Sequence, residues 1–171
     1  MATKTLIPVE EYLNTSVEGP EPDYVDGEIV ERTLPSIAHS ETQDRLQEIL
    51  RPLRQRFSLY AFPEISLKLS GTHFRVADIA AFAGGRPRGM DYPSEVPVLV
   101  IEILSKDDRL TDIQKKFDDY KEYGIRHIWL ADPWMRKLYI WETGLRDVPS
   151  FELPEYGVTI RPADIFDQTP N

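Results

Sequence analysis

The run Pro97-Val98-Leu99-Val100-Ile101-Glu102-Ile103-Leu104 constrains this chain more than any other segment. It is apolar at both alternating sets of positions, as a central strand covered on two faces requires. Its one charge is Glu102. An amphipathic stretch follows from about Arg109 to Tyr123, with Ile113, Phe117 and Tyr120 on one helical face. Gly124 is placed as its C-cap. Arg126 to Ala131 is a second buried strand, ended by Asp132-Pro133. A crossover helix between two apolar strands predicts parallel pairing.

The rest of the chain supplies partners for that unit. Pro8 to Leu13 predicts a short helix opened by proline. Tyr24-Val25-Asp26-Gly27-Glu28-Ile29-Val30 predicts a hairpin, with Asp-Gly at the turn. From Ser36 to about Phe57 the spacing of Leu46, Ile49, Leu50 and Leu53 predicts a helix. Ser40 and Gln43 form a potential capping box at its start, and Pro52 should kink or shorten its last turn. Glu64 to Leu69 and Phe74 to Phe82 predict strands, followed by an exposed glycine-rich loop from Gly84 to Gly89. Lys137 to Glu142 predicts a hairpin partner for the Arg126 strand. The tail from Phe151 to Phe166 predicts one more short strand and a turn. The expected fold is α/β: a mixed β-sheet flanked by helices, with an N-terminal hairpin.

Composition sets outer bounds. A length of 171 residues and 41% hydrophobic content fit a single domain over 1–171. No apolar run approaches the ~18 residues of a membrane span. Met1 to Pro8 lacks the basic-then-apolar pattern of an exported leader, so a cytoplasmic location is expected. Cysteine is absent, which excludes disulfides and thiolate metal sites. The net charge of −9 argues against a general nucleic-acid coat protein, whose affinity would come from neutralising many phosphates. It leaves room for an enzyme that touches a few.

Two acids stand inside apolar strand runs: Asp78 in Val76-Ala77-Asp78-Ile79-Ala80, and Glu102. A carboxylate so placed is costly to desolvate unless it is paired or binds a metal. Two carboxylates converging on one edge of a sheet make a hard-oxygen site suited to Mg²⁺, which keeps several waters. Such a water can attack phosphorus, helped by a nearby lysine. The plain alternative is that each acid pairs with an arginine or ends a strand.

At this point the ordered motifs resemble a known family. Val100-Ile101-Glu102-Ile103-Leu104-Ser105, then Asp112, Lys116 and Tyr120 at steps of four, then Gly124-Ile125 and Ile128-Trp129-Leu130-Ala131-Asp132-Pro133 carry the resemblance. Upstream, the Tyr24 to Val30 segment, His39-Ser40 and Arg75-Val76-Ala77-Asp78 match in order. The set resembles the bacterial restriction-endonuclease family of the Uma type, a branch of the PD-(D/E)XK nuclease superfamily, over roughly Pro8 to Trp141. The resemblance implies a restriction-endonuclease-like core and an endonuclease that hydrolyses DNA phosphodiester bonds. It implies Mg²⁺, with Mn²⁺ as a substitute, on Asp78, Glu102 and the backbone carbonyl of Ile103. The superfamily lysine lies two residues after the Glu; here that position is Leu104. Lys116 fits a lysine that has migrated to the following helix, while Lys106 and Lys115 remain rivals. Ala77 stands where the superfamily motif has proline, and His127 where the family often has an acid.

Remaining candidates are weaker. Arg86 and Arg88, on the glycine-rich loop, are expected at the rim of the same cleft as phosphate contacts. His39 is the histidine most expected to matter, because it sits at a helix start, although capping is the simpler role. Lys116 has its own bland reading, a helix ion pair with Asp112. His39, His73 and His127 show no ligand spacing, and no phosphate-binding glycine loop or serine nucleophile is present. Arg45, Arg51, Arg54 and Arg56 form a basic helix face. A homodimer is expected because two sites are needed to cut both strands of a duplex, with Phe151 and Phe166 as its apolar support. The alternative to an enzyme is a silent nucleic-acid or protein binding module on the same fold.

Overall fold

The structure, a computed structural model, describes residues 6–167. Met1 to Thr5 of the N-terminal stretch therefore lie outside the described residues. The chain order is α1 (Val9–Asn14), β1 (Asp23–Val25), β2 (Glu28–Val30), α2 (Ile37–Leu50), α3 (Leu53–Phe57), β3 (Tyr60–Lys68), β4 (His73–Phe82) and β5 (Leu99–Ile103). It continues with α4 (Leu110–Tyr123), β6 (His127–Asp132), β7 (Lys137–Trp141), β8 (Leu145–Val148), β9 (Phe151–Leu153), β10 (Val158–Ile160) and α5 (Pro162–Phe166). Strands β1 to β8 form one mixed sheet, mostly antiparallel, and β9 and β10 pair separately. Strands β5 and β6 are parallel, with Leu99 opposite His127 and Ile103 opposite Ala131. That is the crossover expected of the apolar runs. Among the described residues no helix is long and apolar enough to cross a membrane.

The sheet is covered on both faces. On one face α2, α5 and the tail strands bury Leu46, Leu50, Phe151 and Ile165 against Ile79, Ile101 and Trp129. On the other, Phe117 and Tyr120 of α4 pack on Val100, Ala80 and Leu130. Alternate residues of β5 thus enter different cores, which is why its sequence is apolar throughout. Trp129 stacks on Phe151 with ring centroids 4.4 Å apart. The tail is more than the expected strand and turn: it is a hairpin and a helix. Phe151 is fully buried and so is not free to support a two-fold contact, while Phe166 is partly buried against the same core.

Asp26 and Gly27 both adopt positive φ, 48° and 92°, in the tight turn between β1 and β2, as a two-residue hairpin demands. Gly124 caps α4 at φ 99°. The start of α2 differs from expectation. Ser36, four residues before Ser40, is the N-cap, and its Oγ accepts the N–H of His39 at 3.2 Å. Gln43 instead points to the sheet. Pro52 divides the expected long helix into α2 and α3, because it lacks an N–H and its ring crowds the preceding turn. β3 reaches back to Tyr60 through Pro63, which an edge strand tolerates.

Strand β4 creates the site. One of its edges pairs with β3 along its length, from Lys68 opposite Phe74 to Tyr60 opposite Phe82. Its other edge is shared: Phe74 faces Tyr24 of β1, and Ile79 to Ala81 face Ile101 to Leu99 of β5. Between Phe74 and Ile79 the sheet forks. Asp78 lies in that fork. The alternation of side chains also slips there, since Ala77 and Ala80 both pack toward α4. Opposite it in β3, Glu64 has φ 47°.

Candidate active site

Unpaired main-chain groups at the fork are taken up by side chains. Asp23, at the start of β1, accepts the N–H of Val76 at 2.8 Å. Lys116 donates to the carbonyl of Val76 at 2.7 Å. Asp78 Oδ2 accepts the N–H of Ile103 at 2.7 Å, where a ladder carbonyl would otherwise sit. The Asp78 carboxylate is therefore drawn into the plane of the sheet, at the C-terminal end of β5. It shares a cleft of about 220 Å³ with Glu102 and Ile103, into which Asp23, Arg32, His39 and Lys116 also face. At ~30 Å³ per water, that is room for several waters beside a small ion.

Each carboxylate is tightly held. Asp78 Oδ1 accepts from Arg32 at 2.7 Å, and Oδ2 lies 3.2 Å from His39 Nε2. Glu102 Oε2 accepts from Lys116 at 3.0 Å, and Oε1 from the Tyr120 hydroxyl at 2.7 Å. Lys116 also lies 3.7 Å from Asp23. Arg32 bridges outward to Glu64 at 2.7 Å, and the side-chain amide of Gln43 donates to both Glu64 and the Asp78 carbonyl.

The environment pushes the two acids apart. Burial works against the charge of Asp78, but the His39 hydrogen bond and the nearby charges of His39, Lys116 and Arg32 keep it below the usual carboxylate range. Burial pushes Glu102 up to about 7; Lys116 opposes the rise and the Asp78 charge adds to it. Lys116 is itself buried, which disfavours its charge, yet Asp23, Glu102 and Asp78 hold it above the ordinary lysine value. It is an ammonium at neutral pH. Burial and the Glu102 charge hold Tyr120 far above the ordinary phenol value, so it remains a donor. His39 is raised: burial opposes its charge, but Asp78 outweighs it.

The donor set can be tested against a divalent ion. Among the described residues no three His, Asp or Glu side chains converge as a ready-made cluster. Asp78, Glu102 and Ile103 do line one polar cleft. Two carboxylates and a carbonyl, completed by water, are what Mg²⁺ takes in preference to an all-protein cage. The residues present fit Mg²⁺.

Other expected residues go elsewhere. Lys115 is exposed and lies 3.9 Å from Asp112, so the helix ion pair expected of Lys116 belongs to its neighbour. Lys106 is exposed in the turn after β5. The Gly84 to Gly89 loop is not at the rim. After Asp78, β4 continues for four residues to Phe82, and at ~3.3 Å per residue that carries the chain about 13 Å toward the opposite end of β5. Arg88 pairs with Glu95 at 2.6 Å, and Arg86 lines a separate depression with Arg51 and Arg54. His127 lies 2.9 Å from Glu155, far along β6. Sequence reasoning missed Asp23, Arg32, Gln43 and Glu64. Arg32 and Asp23 flank a three-residue hairpin strand each, and nothing in their spacing marks them; only the fork brings them together.

This arrangement, a forked mixed sheet with paired acids and a helix-borne lysine, is that of a restriction-endonuclease-like nuclease core. The chain belongs to the Uma2 family, described as "Putative restriction endonuclease", whose model matches residues 9–167. A solved structure from Anabaena variabilis ATCC 29413, described as a putative nuclease belonging to DUF820, superposes with a TM-score of 0.78. It is 26% identical and covers 94% of this chain and 98% of its own. A DrdV–DNA complex matches 63% of this chain and 12% of its own, at 18% identity and a TM-score of 0.35, and no argument rests on it. No curated protein matches. Family and structural neighbour together support a nuclease.

Proposed function

We propose that the chain is one nuclease domain that hydrolyses DNA phosphodiester bonds with Mg²⁺, for which Mn²⁺ can substitute. The observation that carries this reading is Lys116. It reaches from α4 to Glu102 at 3.0 Å, in the cleft that Asp78 shares. The ammonium missing from the strand position at Leu104 is thus supplied from the helix.

Asp78, Glu102 and the Ile103 carbonyl would hold the ion, which supplies Lewis-acid polarisation of a phosphoryl oxygen and water of lowered pKa. The protein's own groups do the rest. Tyr120 and Lys116 fix one oxygen each of Glu102, so its orientation does not depend on substrate. His39 and the Ile103 N–H fix Asp78. Lys116 places a permanent positive charge where negative charge grows on the phosphoryl oxygens, the kind of preorganised stabilisation that contributes most to such reactions. Arg32, mostly buried beside Asp78, adds a second cation to the same cleft. Water adds to phosphorus, a P–O ester bond breaks, and a phosphate monoester and a hydroxyl are released.

The test is cleavage of supercoiled plasmid by the purified chain with Mg²⁺, Mn²⁺ or EDTA, beside Asp78→Asn. Metal-dependent nicking lost in Asp78→Asn is the expected result; equal nicking with EDTA would refute the reading. Cutting both strands requires two copies, so a homodimer belongs to the proposal, and a monomer mass by light scattering on DNA-bound protein would remove it. One observation favours the silent binding module instead. Every carboxylate oxygen of Asp78 and Glu102 already accepts a hydrogen bond from the protein. Absence of any Mg²⁺ or Mn²⁺ binding would select that reading.

A further inference from the structure

A second basic site lies at the far end of α2. Arg51, Arg54 and Arg86 line one depression of about 320 Å³ together with Gln47, Tyr60 and Phe62. In a chain with 29 acidic and 20 basic residues, Arg32, Arg45, Arg75, Arg88, Arg126, Arg136 and Arg146 each pair with a carboxylate, whereas among the described residues Arg56, Arg109 and Arg161 do not and stand apart from the depression. Among the described residues Arg51, Arg54 and Arg86 have no ion pair; Arg54 lies instead over the Tyr60 ring, 4.6 Å from its centroid. The side-chain nitrogen of Gln47 is buried in the same place with no hydrogen-bond partner. A buried donor left unpaired is costly. An anionic ligand with several acceptor oxygens would satisfy the amide and neutralise the arginines together. Gly85 donates its N–H to the Ser58 carbonyl at 3.0 Å, which ties the Arg86 loop down beside α3.

The distance to the cleft identifies the ligand. His39 in the first turn of α2 touches Asp78, and Arg51 follows the last turn; twelve residues at ~1.5 Å span about 18 Å. Along β3, Glu64 meets Arg32 at the cleft and Tyr60 lines the depression; four residues at ~3.3 Å span about 13 Å. With ~3.4 Å of axial rise per nucleotide, the separation corresponds to about four or five nucleotides. We infer that the Arg51, Arg54 and Arg86 depression binds a backbone phosphate of the DNA whose scissile phosphate occupies the Asp78 and Glu102 cleft. This rests on the DNA nuclease reading for its ligand. It also explains how a chain of net charge −9 grips DNA: the positive charge is local and unpaired, at a fixed distance from the chemistry.

The test compares Arg51→Ala/Arg54→Ala/Arg86→Ala with a charge-matched control, Arg126→Ala/Lys137→Ala/Arg146→Ala, both in an Asp78→Asn background and both checked for folding. Fluorescence anisotropy with a 16-base-pair duplex is measured across salt concentrations. The depression variant should bind at least about tenfold more weakly and lose about 1 from the slope of log K against log [salt], at ~0.9 per phosphate contact. The control should change little. A 4-base-pair duplex should not distinguish the two variants. Equal slopes for the two variants would overturn the site, whatever plasmid cleavage by the parent chain shows. Loss confined to the depression variant, in a parent chain that does not cleave, would keep the site and remove the nuclease. A thermal shift with inorganic phosphate that needs these arginines, without any effect on duplex binding, would make it a free-anion site and refute the inference.

Discussion

The Nζ of Lys116 lies 3.0 Å from Oε2 of Glu102, fourteen residues away in sequence and on a different element. The contact follows from helix geometry. Lys116 sits at the border of the buried stripe formed by Phe117 and Tyr120, so its stem lies along apolar surface while its head turns inward. Lys115, rotated ~100° around the helix, faces solvent. Lys116→Ala should lower cleavage by about 10²–10³, while Lys115→Ala and Lys106→Ala stay close to the parent rate. A rate unchanged in Lys116→Ala but lost in Lys106→Ala would move the role to the turn after β5.

Glu102 gives a stability prediction with a defined sign. Its folded pKa, about 7, is above its ordinary value of 4.5. The folded state therefore holds its proton more tightly than the unfolded state, and stability falls as pH rises from about 4.5 to about 7, then levels. Glu102→Gln removes this loss. Without metal, the stability of the variant relative to the parent should rise by about 1–3 kcal/mol between pH 5 and pH 8, from ~1.4 kcal/mol per pKa unit. Denaturant melts at the two pH values measure it, and a variant less stable at pH 8 than at pH 5, relative to the parent, would contradict the assignment.

Arg32 is one of the cations held beside Asp78, at 2.7 Å. Arg32→Ala leaves a buried carboxylate short of a partner and should cost about 3 kcal/mol without metal. At ~2–4 °C per kcal/mol for a chain of this size, the melting temperature should fall by roughly 6–12 °C. Because Mg²⁺ would replace one positive charge with another, saturating Mg²⁺ should restore most of that stability, by about 2.7 kcal/mol at a hundredfold excess over Kd. Cleavage should remain low. A melting temperature that Mg²⁺ does not move would show that the ion does not bind beside Asp78.

The sheet's centre was legible because its energetics are local. The run from Val98 to Leu104 needs two covering layers, and the helix and strand after it supply one of them with a fixed hand. Asp78 and Glu102 stood out for the same reason, as charges in places that exclude water. The fork was not legible. It depends on β1 and β5 sharing one edge of β4, a long-range pairing with no mark in the sequence, and it alone recruits Asp23 and Arg32. The slip of alternation at Asp78 and Glu64 was hidden because both strands shift together and the register on either side is kept. The Gly84 to Gly89 loop was misplaced because nearness in sequence was taken for nearness in space, although an extended strand moves ~3.3 Å with every residue. Ser36 was overlooked as a cap since the apolar period begins a full turn later.

The central claim is that Asp78 and Glu102 share one divalent ion. The most direct measurement is anomalous diffraction from a crystal of the chain with Mn²⁺ and a DNA duplex. The expected result is one anomalous peak in the cleft, about 2.1–2.2 Å from an oxygen of each carboxylate, with Arg32 turned away from Asp78. No peak in the cleft under conditions where the same preparation cleaves DNA would contradict the account.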